Sequence, residues 1–166
     1  MDDLAGFVTL EGEISLSGNA LEELMRGVLD KGKPFRFQAK GWSMSPFIQD
    51  GDLISVSPLS DKSPGLGDVV AFVNPGTSKL VVHRIVSNQH AGYLMRGDNQ
   101  TGDGDGLIPS ENILGRVTFV ERAGKIIRLG LGPERFLIAL LSRMSLLQPS
   151  LTRLAPLMRP LRRVLS

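Results

Sequence analysis

Ser43 stands in the stretch GWSMSPFIQDGD, residues 41–52, between Trp42 and Met44 and three residues before Pro46. Two carboxylates, Asp50 and Asp52, close the stretch. A serine in that setting is either part of a tight, partly buried turn or a nucleophile. As a nucleophile it is weak until a base takes its proton. The chain has two histidines. His90, in SNQHAG, reads as a solvated surface residue. His83 lies in KLVVHRIV, where strand alternation puts Val81, His83 and Ile85 on one face and Val82, Arg84 and Val86 on the other. A packed core histidine and a placed base are both open there. Such a base works best when a third group fixes its tautomer and stabilises the imidazolium. The loop RGDNQTGDGDG, residues 96–106, offers Asp98, Asp103 and Asp105. Alone, that loop is also an ordinary turn, or a poor calcium loop with Asn112 where an acidic ligand is needed.

The elements that must position these residues follow from periodicity and punctuation. Residues 19–31, NALEELMRGVLDK, place Leu21, Leu24, Met25, Val28 and Leu29 on one apolar stripe and predict an amphipathic helix. Asn19 with Glu22 predicts a capping box, and Gly32 a C-terminal cap. From residue 34 the pattern changes to short segments rich in Val, Ile and Phe: FRFQA, DLISVS, DVVAFV, KLVVHRIVS, GYLMR, ILGRVTFVE and KIIRL. SPGLGD, NPGTS and RAGK punctuate them. No helical pattern separates the strands, which disfavours a parallel sheet. The expected fold is mainly β, an antiparallel curled sheet or barrel with one N-terminal amphipathic helix and a helical C-terminal tail. The expected parts are residues 1–33, 34–130 and 131–166.

With 166 residues, 42% hydrophobic and 22% charged, the chain suffices for one folded unit with a core. It has no cysteine, so thiolate chemistry, disulfides and zinc–cysteine sites are excluded. No cofactor or metal is implied. The net charge of +2 hides an asymmetry: residues 128–166 carry seven arginines and one acid, Glu134, while residues 1–127 are net −4. Arg or Ser interrupts each apolar run in the tail, and Pro149, Pro156 and Pro160 limit helix length. An arginine at a helix centre costs roughly 2.5–3.5 kcal/mol on insertion, so the tail suits an anionic membrane interface better than a span. The start of the chain, MDDLAGFVTLEGE, has neither the positive end nor the apolar stretch of a secretory signal.

In order, GWSMSPFIQDGD, GDVVAF, VVHRIV, RGDNQTGDGDG and ILGRV form a series of motifs that resembles the type I signal peptidase superfamily. It looks most like the Ser–His branch found in endoplasmic reticulum, archaeal and some spore-forming bacterial enzymes. The likeness covers roughly residues 36–121. It implies an antiparallel β fold and peptide-bond hydrolysis, with Ser43 as nucleophile, His83 as base where the commoner bacterial enzymes carry lysine, Met44 shaping the site with Trp42 beside it, and Gly97-Asp98-Asn99 as the segment that positions the acid. The acid itself is expected one place either side of Gly104, at Asp103 or Asp105. Where some lysine-type relatives carry a serine that helps bind the oxyanion, this chain has Gly41, which leaves more of that task to the Ser43 amide. The superfamily's N-terminal membrane anchor is not evident.

These features together lead us to expect a serine endopeptidase that cleaves a precursor or leader peptide, located in the cytoplasm or peripherally on the inner face of a membrane. Ordinary imidazole titrates near about 6.5, so hydrolysis by such a base should rise through about pH 6–7.5, and a rise only above about pH 8 would point to Lys79. The alternative is a non-catalytic module docked at a membrane by its tail. Self-cleaving SOS repressors share this superfamily, but about 35 residues before the first strand leave no room for a helix-turn-helix domain, and an acidic body disfavours nucleic acid.

Overall fold

A computed structural model of the chain describes residues 18–59 and 63–144. Helix α1, Gly18–Leu29, is followed by strands β1 (Phe35–Gln38), β2 (Leu53–Ser57), β3 (Val69–Asn74), β4 (Lys79–Gln89), β5 (Gly92–Arg96), β6 (Gly106–Ile108), β7 (Ile113–Arg122) and β8 (Lys125–Ile127), then helix α2, Arg135–Arg143. The strands form one sheet in the order β1-β2-β7-β3-β4-β5-β6, with every pairing antiparallel. The antiparallel β reading holds; the strand path is open rather than closed into a barrel. β7 is the spine. One edge pairs with β2, while the other pairs first with β3 and then with β8. β6 was not expected, because three residues emerging from a Gly/Asp run carry too short a pattern to read.

The run VVAF in β3 is apolar at every position because both faces of the sheet are covered. Val69 and Ala71 belong to one buried cluster with Met25, Leu29, Phe35, Ile54, Val56 and Val120. Val70 and Phe72 belong to another with Ile85, Met95, Ile108 and Ile113. Burying each large side chain contributes roughly 1.5–3 kcal/mol. α1 lays Met25 and Leu29 on the first cluster, as its stripe predicts. Its end is a Schellman motif: Lys33 N donates to Val28 O and Gly32 N to Leu29 O, with Gly32 at φ 72°. Its start differs from expectation. Asn19 lies inside the first turn, and Glu22 accepts from Arg26 instead of reaching back to a cap.

α2 packs Ile138 against Phe47, with Leu141 beside them. The opposite side of α2 leaves Phe136, Leu137, Leu140 and Met144 half exposed or more. The rest of the arginine-rich tail lies outside the described residues. Among the described residues, no helix is long and apolar enough to cross a membrane.

Candidate active site

The segment between β1 and β2 carries Ser43 through a run of turns, and its two carboxylates hold it in place. At the near end Gly41 N, with φ 90°, donates to Asp50 Oδ1 at 2.7 Å. At the far end Asp52 accepts from Gln49 N and takes both Nε and an Nη of Arg122 on β7, each at 2.7 Å. Arg122 also donates to Phe47 O. Asp50 and Asp52 are thus clamps. Gly41 N is thus engaged, whereas among the described residues nothing accepts from Ser43 N, which lies next to the hydroxyl.

His83 lies on β4 on the face it shares with Val81 and Ile85, 4% exposed and against Phe72 with ring centroids 6.3 Å apart. Its Nε2 is 2.9 Å from Ser43 Oγ. Its Nδ1 meets Asp105 Oδ2. An ionised carboxylate only accepts, so Nδ1 carries the proton and Nε2 of the neutral ring is left to accept from the serine. The line Ser43–His83–Asp105 is therefore a hydroxyl, an imidazole and a carboxylate in hydrogen-bond contact, joined by residues forty and twenty-two positions apart.

The loop between β5 and β6 brings in the carboxylate. Gly104 has φ 76°, and a Cβ there would sit 2.5 Å from Met95 O, so only glycine allows the backbone to turn this tightly. Asp105 N then donates to Met95 O, which aims the side chain at the ring. Arg96 fastens the same loop from below by donating to Gly102 O, and also donates to Ser142 O in the last turn of α2. Asp103, the other candidate, is exposed.

Gly97-Asp98-Asn99 plays a different part. Asn99 N donates to Ser43 O at 2.7 Å, and Asn99 Nδ2 to Trp42 O at 3.2 Å. Gly97 comes so close that a Cβ would lie 2.6 Å from Ser43 O and 3.0 Å from His83 Nε2. Asp98 turns away from the serine to Arg84, which grips both its oxygens at 2.7 and 2.8 Å. Arg84 is completely buried; it also donates to Gly67 O and Gly130 O and lies over the Phe47 ring. Burial is the largest influence on the Asp98 carboxyl and pushes it above the usual aspartate range, with the Arg84 guanidinium opposing. Sequence reasoning missed this pair. The available signal was an arginine inside a run of valines and isoleucines, on a strand that must be covered on both faces.

Met44 is buried below the serine, Trp42 is 62% exposed at the rim, and His90 is exposed in the β4–β5 turn. Lys79 is four residues before His83 on β4, roughly 13 Å away at strand spacing. A cavity of about 640 Å³ opens beside Ser43, between residues 37–41 on one side and residues 77–82 on the other, with the start of α1 at its end.

A family model described as Peptidase S24-like matches residues 9–118, a span that includes Ser43, His83 and Asp105. It lies in the same superfamily as signal peptidase I-like enzymes, in line with the motif order. No curated protein matches the chain.

Proposed function

The chain belongs to the Peptidase S24-like family, and from that premise we propose that it is a serine endopeptidase hydrolysing a peptide bond in a precursor or leader peptide. The family also includes LexA-like repressors, so the reading rests on geometry rather than on membership. The observation that carries it is Ser43 Oγ at 2.9 Å from His83 Nε2, with Asp105 on the other ring nitrogen. His83 takes the hydroxyl proton as Ser43 Oγ attacks the carbonyl carbon, and Ser43 N donates to the developing oxyanion. The imidazolium, held by Asp105, then protonates the leaving amine. Water repeats the sequence on the acyl-serine and restores the hydroxyl.

An anionic membrane surface is the proposed docking site for the tail, with the protein cytoplasmic or peripheral on the inner face. The support is the exposed apolar side of α2 together with the arginines that follow it. No nucleic acid is involved in this reading.

Ser43→Ala tests the enzymatic proposal. Peptide hydrolysis should fall at least about 10³-fold with the unfolding midpoint unchanged, and a serine-reactive probe should label the parent protein at Ser43 alone. Hydrolysis that survives the substitution would refute the proposal; a parent protein that neither cleaves nor labels would point to a binding module.

A further inference from the structure

The cavity beside Ser43 has a chemistry of its own. We infer that it selects a peptide carrying a large apolar side chain close to the scissile bond, with an acidic side chain flanking it. The inference rests on the peptidase reading for its substrate, but on the cavity alone for its selectivity.

The backbone supplies the frame. β4 pairs with β3 over Lys79–Arg84, whereas its pairing with β5 begins only at Arg84. Antiparallel bonding alternates along a strand, and Ile85 bonds toward the β3 side through Asp68 and Gly67. Leu80 and Val82 therefore turn their N–H and C=O groups to the other edge, where no described strand pairs with them. An extended peptide added there would direct alternate side chains into the cavity.

The floor supplies the apolar preference. Phe37, Met44, Ile48, Ile54, Leu80 and Val82 line the cavity, and Met44, Ile48 and Ile54 are core residues at most 5% exposed. At about 640 Å³ the cavity is some twenty times a water's share of liquid volume, about 30 Å³. An alanine methyl would leave most of it unfilled. A leucine or phenylalanine side chain would displace water from an apolar wall, and pockets of this kind discriminate roughly tenfold or more per methylene at best. The rim supplies the charge preference. The charged residues among the lining are Lys40 and Lys79, both exposed and both cations, so a carboxylate beside the apolar anchor meets attraction on either wall.

The test uses the full chain and a positional-scanning library of nine-residue peptides, read in two ways. Binding is measured to the Ser43→Ala variant, and kcat/KM to the parent protein. The expected result is one position at which leucine or phenylalanine binds at least about tenfold tighter than alanine. Glutamate at a neighbouring position should be preferred about three- to tenfold over lysine. Lys79→Glu with Lys40→Glu, both at exposed sites that leave the core untouched, should reverse the charge preference and leave the apolar one. Selectivity in binding without cleavage by the parent would sustain this inference and overturn the peptidase reading. Cleavage with a preference for alanine, or no selection at any position, would overturn the inference and leave the peptidase reading standing. Absence of any peptide binding would also overturn it.

Discussion

His83 and Arg84 are neighbours in the chain that face opposite sides of β4, and each is held by its own aspartate. His83 meets Asp105 on one face, and Arg84 grips Asp98 on the other. The first pair lies beside the serine. The second lies fully buried beneath α2 and joins the 65–68 turn, the Gly130 turn and the Gly97-Asp98-Asn99 segment. His83, the middle of the Ser43–His83–Asp105 line, is thus braced from behind the strand that carries it. This division assigns separable consequences to the loop's aspartates.

Asp105→Asn keeps the size of the side chain but removes the acceptor that fixes the ring, so kcat should fall by about 10⁴-fold with little change in KM. Asp103→Asn, at an exposed site, should stay within about twofold of the parent. Steady-state kinetics on the two variants check the assignment, and a reversed outcome would move the acid to Asp103.

Arg84→Met leaves the Asp98 carboxylate buried without its partner and should cost roughly 3–5 kcal/mol in a chemical denaturation experiment. The double variant Arg84→Met with Asp98→Leu should recover much of that loss, since neither charge then remains buried. Equal destabilisation by the single and double variants would show that the contacts to Gly67 O and Gly130 O, rather than the ion pair, account for the arginine.

Gly97→Ala pushes a methyl group into Ser43 O and toward His83 Nε2. A displacement of about 1 Å between reacting groups costs on the order of 10² in rate. We expect kcat/KM to fall by about that factor, with a smaller effect on the unfolding midpoint. Unchanged kinetics would show that the serine and the imidazole move together.

Glu134 gives a pH prediction. Desolvation pushes its carboxyl up, but the N–H groups of Gly130 and Gly132 donate to it and hold it below the usual glutamate value of 4.5. A carboxylate depressed on folding stabilises the protein above its unfolded value, and that contribution is lost as the pH falls through the folded value. Stability should therefore decline below about pH 4.5 more steeply in the parent than in Glu134→Gln. Because the group is only partly buried and its charge is screened by solvent, the difference should not exceed about 1 kcal/mol at neutral pH. Denaturation midpoints between pH 3 and 7 measure it; parallel curves would remove Glu134 from the account.

Ser43, His83 and the antiparallel sheet were legible because each depends on local pattern: motif order, side-chain alternation, short apolar runs between turns. The choice between Asp103 and Asp105 was not, since it depends on the left-handed turn at Gly104 and on Arg96, at the end of β5, folding back to hold Gly102 O. The Arg84–Asp98 pair was missed because its partners are remote in the chain. An arginine on a strand gives no local sign of burial, because what stabilises its charge there arrives from residues 67, 98 and 130. The Asn19 cap failed because the helix begins one residue earlier than its best-placed capping side chain.

The switch in partners along β4 makes the strand a ruler. Its first half pairs with β3 and its second half with β5, and the changeover falls at Arg84, one residue past the imidazole. A peptide added to the edge that no described strand pairs would run out of template at the same residue each time. On the proposed reading, the bond presented to the hydroxyl would then be counted off by main-chain spacing, and side chains would decide which sequences stay long enough to be cut.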